Sequence, residues 1–231
     1  MHQNVRDIRD RFRDELKNAR YITDKSGVKT IELMSVNFKA DETSIFGKVD
    51  ENFVKRETNW YLSQSLNVND LVDAPAIWKS VASRHGAINS NYGWCVYSRE
   101  NGDQYGFVCN ELWTNPDSRR AIMIYTRPDM HTAAFKENMN DFMCTNTVQY
   151  LIRDSKLHAH VSMRSNDAVF GYKNDFAWQH RVFSRVLELI NHRRAVYDED
   201  PLIAGDIIWN VGSLHIYERH FHIVDSQQVL L

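Results

Sequence analysis

The chain has 231 residues, 43% hydrophobic and 25% charged, with a formal net charge of −2. That balance is globular, suits one domain over residues 1–231 with a sizeable core, and lacks the positive excess that direct binding of nucleic acid demands. Three widely spaced cysteines, a start unlike a signal peptide and no apolar run of membrane-spanning length exclude a disulfide framework and a membrane span, and point to the cytoplasm.

Val5, Ile8, Phe12 and Leu16 recur at helical spacing and predict an amphipathic helix over 3–19. A turn at Asp24-Lys25-Ser26-Gly27 precedes a strand from Thr30 to Val36, and residues 52–66 read as a helix carrying Phe53, Trp60 and Tyr61. A short helix over 104–113 ends at Asn115-Pro116, because proline disfavours helix before it, and Arg120 to Thr126 reads as a strand. Asn146 to Ile152 is a second strand. Beyond the polar turn Arg153-Asp154-Ser155-Lys156, residues Leu157, Ala159, Val161 and Met163 alternate with His158, His160, Ser162 and Arg164. Residues 145–164 are therefore a predicted hairpin. A helix over 174–191, a charged loop through Asp198-Glu199-Asp200-Pro201 and a mostly extended stretch from Asp206 to Tyr217 complete a mixed α and β domain without repeats or linkers.

Cys144 stands at the entrance of the hairpin. Beside Phe142 and Met143 it reads first as a buried small hydrophobe, and the nucleophilic reading needs nearby positive charge to ionise the thiol. The hairpin folds Arg164 back towards it. Arg119-Arg120, at a turn, is either a solvated pair or a phosphate clamp. Glu57, pressed against Trp60 and Tyr61, is either solvated or desolvated for proton transfer. His220 and His222 would share a strand face if the strand continued, but no further ligand accompanies them and no metal is expected. Walker, dinucleotide and Gly-x-Ser-x-Gly motifs are absent.

Several segments resemble the thymidylate synthase superfamily, and within it the deoxycytidylate hydroxymethylase branch of T-even phages. They are Asp24 to Thr30, Asn89 to Trp94, Asn115 to Pro128, Asp141 to Asp154, Met163-Arg164-Ser165-Asn166-Asp167 and Ile207 to Tyr217, in order over nearly the whole chain. The resemblance implies a mixed sheet flanked by helices, one sheet face forming a homodimer interface. It also implies dCMP as substrate and 5,10-methylenetetrahydrofolate as co-substrate, and the host cytoplasm if the protein is phage-encoded. Cys144 would add to carbon 6 of the pyrimidine, and Arg164 would keep the thiol ionised. Arg164, Ser165 and Lys25 would hold the phosphate, Lys25 standing where the family usually has arginine. Arg119 and Arg120 would reach the partner subunit's phosphate. His215 and Tyr217 would bind the sugar hydroxyl, Glu57 and Tyr92 would move protons, and Trp78, Asp167 and Gly171 would meet the folate.

Asp175 stands where thymidylate synthases place asparagine. A protonated carboxyl donates to cytosine nitrogen 3 and accepts from its amino group, whereas asparagine complements uracil. Met143 and Thr145 replace a proline and a histidine of the family, Val81 replaces a tryptophan near the folate, and the tail to Leu231 does not resemble the longer relative's. Less apolar bulk at Val81 would admit water to an exocyclic methylene, giving hydroxymethyl. A folate hydride would give methyl instead, so a dCMP methyltransferase is the alternative enzyme, and a silent nucleotide- or RNA-binding homologue the alternative class.

Overall fold

Alternating apolar residues build a mixed sheet whose buried face is closed by helices. A computed structural model of the chain describes residues 3–24 and 26–225, of 134–137 only the backbone. Chain order is β1 (Gln3–Asn4), α1 (Val5–Lys17), β2 (Ile22–Thr23), β3 (Lys29–Lys39), α2 (Glu51–Ser63), α3 (Ala76–Val81), α4 (Tyr92–Tyr97) and α5 (Gln104–Thr114). Then come β4 (Ile122–Ile124), α6 (Met130–Glu137), β5 (Thr145–Arg153), β6 (Lys156–Asp167), α7 (Gly171–Val196), β7 (Ile203–Tyr217) and α8 (Phe221–Asp225). The sheet runs β1-β3-β7-β6-β5-β4, with β2 pairing β3. β5 and β6 form the expected antiparallel hairpin, whereas β6 and β7 are parallel and are joined through α7, as parallel neighbours require. Helix α1 is fixed by a reciprocal cap, in which Asn4 and Asp7 each accept from the other's backbone N–H, and it buries Val5, Ile8 and Phe12. No helix of the described residues is long and apolar enough to cross a membrane.

One feature of the sheet positions the site. Along β6 the buried Leu157, Ala159, Val161 and Met163 keep the period of two, yet the next buried residue is Asn166. The same slip separates Thr145 from Val148 on β5, Val211 from Leu214 on β7, and Leu33 from Val36 on β3. On β3 it falls at Ser35, whose φ is +52°; on β5 the register against β6 shifts between Thr145 and Thr147. Met34 pairs with Ser213, and Ser213 pairs with Ser165, so the slips align across neighbouring strands and bend the sheet along one line. Gly212 lies on that line, where a Cβ would stand 2.9 Å from the Arg164 carbonyl oxygen. The line ends at Cys144 and Arg164.

Several element boundaries differ from the sequence expectation. The strand predicted from Arg120 to Thr126 contracts to Ile122–Ile124, because the Gln104 side-chain amide takes both backbone groups of Ile124 and seals this edge. Helix α2 stops at Ser63, since Gln64 turns left-handed at φ 58°. Helix α7 extends beyond 174–191 at both ends; near its start the Asp167 carboxylate accepts from the Val169 and Phe170 N–H groups. The strand through Tyr217 does not continue: His220 ends a 3-10 turn and His222 lies in α8, so they share no strand face. Helices α3, α4 and α6 are too short to show a period and were not expected.

Candidate active site

The bend brings Arg164 onto Cys144. The Arg164 backbone N–H donates to the Cys144 carbonyl at 2.9 Å. Its guanidinium donates to the Met143 carbonyl at 2.9 Å and the Phe142 carbonyl at 2.5 Å, and its Nη2 stands 3.6 Å from Cys144 Sγ. Held by three consecutive residues, the guanidinium cannot swing away from the sulfur. The expected cysteine–arginine neighbourhood is therefore present. Burial pushes the Cys144 thiol up to about 11, against the opposing pull of Arg164 and with help from the Asp175 and Asp141 charges.

The segment leading into Cys144 is tied to the start of α4 by a carboxylate that sequence reading gave no role. Asp141 is buried and accepts from the Asn89 and Ser90 N–H groups at 2.6 and 2.7 Å and from the Ser90 hydroxyl at 2.6 Å. Asn91, fully buried, caps α4 through Trp94 N–H and donates to the Trp60 and Ser65 carbonyls. Next to it, Gly93 lets α4 touch α2: a Cβ there would lie 1.8 Å from the Tyr61 carbonyl oxygen. Gly93→Ala should therefore destabilise the fold by about 3 kcal/mol or more, seen as a lower midpoint in urea unfolding. An unchanged midpoint would show that the helices can part without cost.

Asp175 comes from the second turn of α7 and faces this cluster. Thr145, adjacent to Cys144, donates its hydroxyl to the Tyr92 OH at 3.1 Å, and the Tyr92 hydroxyl neighbours Asp175 and favours its charged form. The Asn166 amide donates to Asp175 Oδ2 at 2.7 Å. Burial outweighs these donors and raises the Asp175 carboxyl to about 7, so much of it is protonated near neutrality. Glu57, on α2, is only 6% exposed and accepts from Trp78 Nε1 at 3.2 Å. Burial and the Asp175 charge lift it to about 8, in line with the expectation of a desolvated glutamate.

The remaining predicted residues divide into two groups. His215 lies opposite Glu32 on β3 and beside Asp167 on β6, its ring centroid 5.1 Å from that of Tyr217, whose phenol burial pushes up. Ser165 follows Arg164 at the bend, and Gly171 opens α7 where a Cβ would press the Asn166 amide at 3.0 Å. Asp24 stiffens its turn by accepting from Ser26 and Val28 N–H groups; Lys25 lies outside the described residues. Arg119 and Arg120 are the exception. They sit beside Gln149 in the middle of β5, away from its Cys144 end, and exposed Arg120 pairs with its own chain's Glu111 at 3.1 Å. Among the described residues no group of three or more His, Cys, Asp or Glu is arranged to hold a metal.

The thymidylate synthase family profile matches residues 7–229. The chain belongs to the thymidylate synthase family. This family member is 52% identical to the deoxycytidylate 5-hydroxymethyltransferases of Enterobacteria phages T4 and T2, over 96% of this chain and 89% of each relative. It is 29% identical to a thymidylate synthase of Francisella philomiragia, over 88% of this chain and 77% of that one. The crystal structure of thymidylate synthase from T4 phage shares the fold, with a TM-score of 0.70 at 24% identity over 93% of this chain and 77% of that chain.

Proposed function

We propose that this protein transfers a one-carbon unit from 5,10-methylenetetrahydrofolate to carbon 5 of dCMP and completes it with water, giving 5-hydroxymethyl-dCMP and tetrahydrofolate. The carrying observation is a buried carboxyl, Asp175, beside Tyr92, whose hydroxyl accepts from Thr145, the residue next to a guanidinium-held thiol. Similarity at 52% to the phage hydroxymethyltransferases supports the same substrate.

Each residue then has a task. Cys144 sulfur adds to carbon 6, stabilised as thiolate by Arg164 against the burial that pushes the thiol up. Asp175, as the acid, donates to nitrogen 3 and accepts from the amino group, giving up its proton as charge develops on the ring. Carbon 5 becomes nucleophilic. Arg164, Ser165 and Lys25 hold the phosphate, and His215 with Tyr217 the sugar. Trp78, Asp167 and Gly171 would hold the folate: Asp167 Oδ1 is engaged by Val169 and Phe170, leaving Oδ2 for ring N–H donors, and Gly171 presents no side chain. When bound, the folate supplies the one-carbon unit. Glu57, largely protonated and tied to Trp78, orders the water that completes the hydroxymethyl group.

The test is to incubate the protein with dCMP and methylenetetrahydrofolate and identify the product by mass. Hydroxymethyl-dCMP is expected. Methyl-dCMP with the absorbance of dihydrofolate would replace this reading by a methyltransferase, and no product would replace it by a silent homologue.

The reading includes a homodimer of one catalytic domain per chain, formed through the half-exposed face of β5 and β6, with Arg119 and Arg120 completing the partner's phosphate site. Their distance from their own Cys144 end of β5 supports this. The double variant Arg119→Ala, Arg120→Ala should lose on the order of 100-fold in activity or more. Mixed in equal amounts and refolded with inactive Cys144→Ser, it should regain about a quarter of the native rate, because half of the dimers are mixed and each of these carries one intact site. No recovery in dimers shown to have exchanged would remove the arginines from the partner's site.

A further inference from the structure

The base-reading carboxyl has a weakness that the structure answers. A neutral carboxylic acid has one donor oxygen and one acceptor oxygen, and it can exchange their roles by moving a proton. In one form it complements cytosine, in the other uracil, so Asp175 alone would select poorly. Resting on the reading above, we infer that Asn166 is a specificity-determining positioning residue, which keeps Asp175 Oδ2 an acceptor and so commits the carboxyl to cytosine.

The orientation of the Asn166 amide is forced. Trp209 is fully buried and its indole Nε1, 3.2 Å from Asn166 Oδ1, can only donate. The amide oxygen must therefore face Trp209, and the NH2 must face Asp175, where Nδ2 lies 2.7 Å from Oδ2. A hydroxyl oxygen accepts less well than a carbonyl oxygen, so the acid's proton resides on Oδ1. One lone pair of Oδ2 is then taken by Asn166, and the other serves the exocyclic amino group of cytosine. Uracil would offer a carbonyl to Oδ2 and a donor to Oδ1, mismatched at both.

Among the described residues nothing else around the carboxyl supplies this asymmetry through a fixed donor-only chain. The titratable groups acting on or sensing it are Tyr92 of α4, Glu57 and Tyr61 of α2, Asp167 of β6, and Cys144. Tyr92 carries a rotatable hydroxyl, and Glu57, Asp167 and Cys144 act through charge. The Asn166 amide is pinned by Trp209 on one side and roofed by Gly171, where an added Cβ would press on Nδ2 at 3.0 Å. Donation to the carboxylate also favours its ionised form, so losing Asn166 must move the titration of Asp175 upward.

The experiment measures kcat/KM for dCMP and dUMP across pH in the native protein, Asn166→Ala and Trp209→Phe, with the titration of Asp175 followed by carbon-13 NMR. Asn166→Ala should lower the dCMP-to-dUMP ratio about 10-fold or more. Its decline with rising pH should move about half a pH unit or more upward, a shift that loss of packing alone would not produce. Trp209→Phe keeps an aromatic ring but frees the amide, and should lower the ratio about 3-fold or more. If folded Asn166→Ala keeps both ratio and pH profile, the inference is overturned; if that variant does not fold, an unchanged ratio in Trp209→Phe overturns it. Should the native protein not turn over dCMP, the reading above fails separately. The NMR titration then decides: a higher Asp175 pKa in Asn166→Ala, or in Trp209→Phe where Asn166→Ala does not fold, sustains the lock, and an unchanged one removes it.

Discussion

Replacing Cys144 by serine should lower hydroxymethylation of dCMP on the order of 10,000-fold or more while leaving dCMP binding within a few fold. A serine hydroxyl has nearly the same size and can sit at the same place before β5. It differs in acidity and nucleophilicity. The native thiol already starts at about 11, because burial outweighs the guanidinium beside it. Serine would begin several further pH units from ionisation, and Arg164 at 3.6 Å could not close that gap. The measurement is single-turnover product formation, with equilibrium dialysis of dCMP as the control. Near-normal turnover would remove covalent catalysis by this residue.

The second large effect is at Asp175. Asp175→Asn should shift preference from dCMP towards dUMP by about 1,000-fold, because the amide keeps the shape but offers an oxygen to nitrogen 3–H and an NH2 to carbonyl 4. The effect is large because the site is buried, where a mispaired polar group finds no water. The native pH dependence gives a second readout. The carboxyl serves as the acid, and its pKa is raised to about 7, so it is fully available below that value. As pH rises above about 7 the donor is lost while the Cys144 thiol ionises further, so kcat/KM for dCMP divided by that of Asp175→Asn for dUMP, in which the thiol's contribution cancels, should fall about tenfold per pH unit. Unchanged preference for dCMP would sink the proposed reading of the base.

The two predictions share one structural condition, namely that the thiol and the carboxyl sit in one buried site. The hairpin supplies one half. Its pairing places Arg164 against Cys144 whatever the rest of the chain does. Helix α7 supplies the other half by returning Asp175 beneath the bend, where Tyr92 and Asn166 meet it.

Periodicity and composition alone determined the first helix, the hairpin, the long helix after it and the closing strand, because each is long enough to repeat its pattern several times. They also placed Arg164 near Cys144, since a hairpin's register follows from its turn. The likeness of ordered motifs to a known superfamily supplied the roles assigned to the site residues. Tertiary structure alone decided the aligned slip of four strands, which turns Asn166 inward where strict alternation would have chosen Ser165. It also decided that Cys144, Glu57 and Asp175 are all pushed upward in their titration, because desolvation depends on what the whole fold stacks above a side chain, and no local spacing records that.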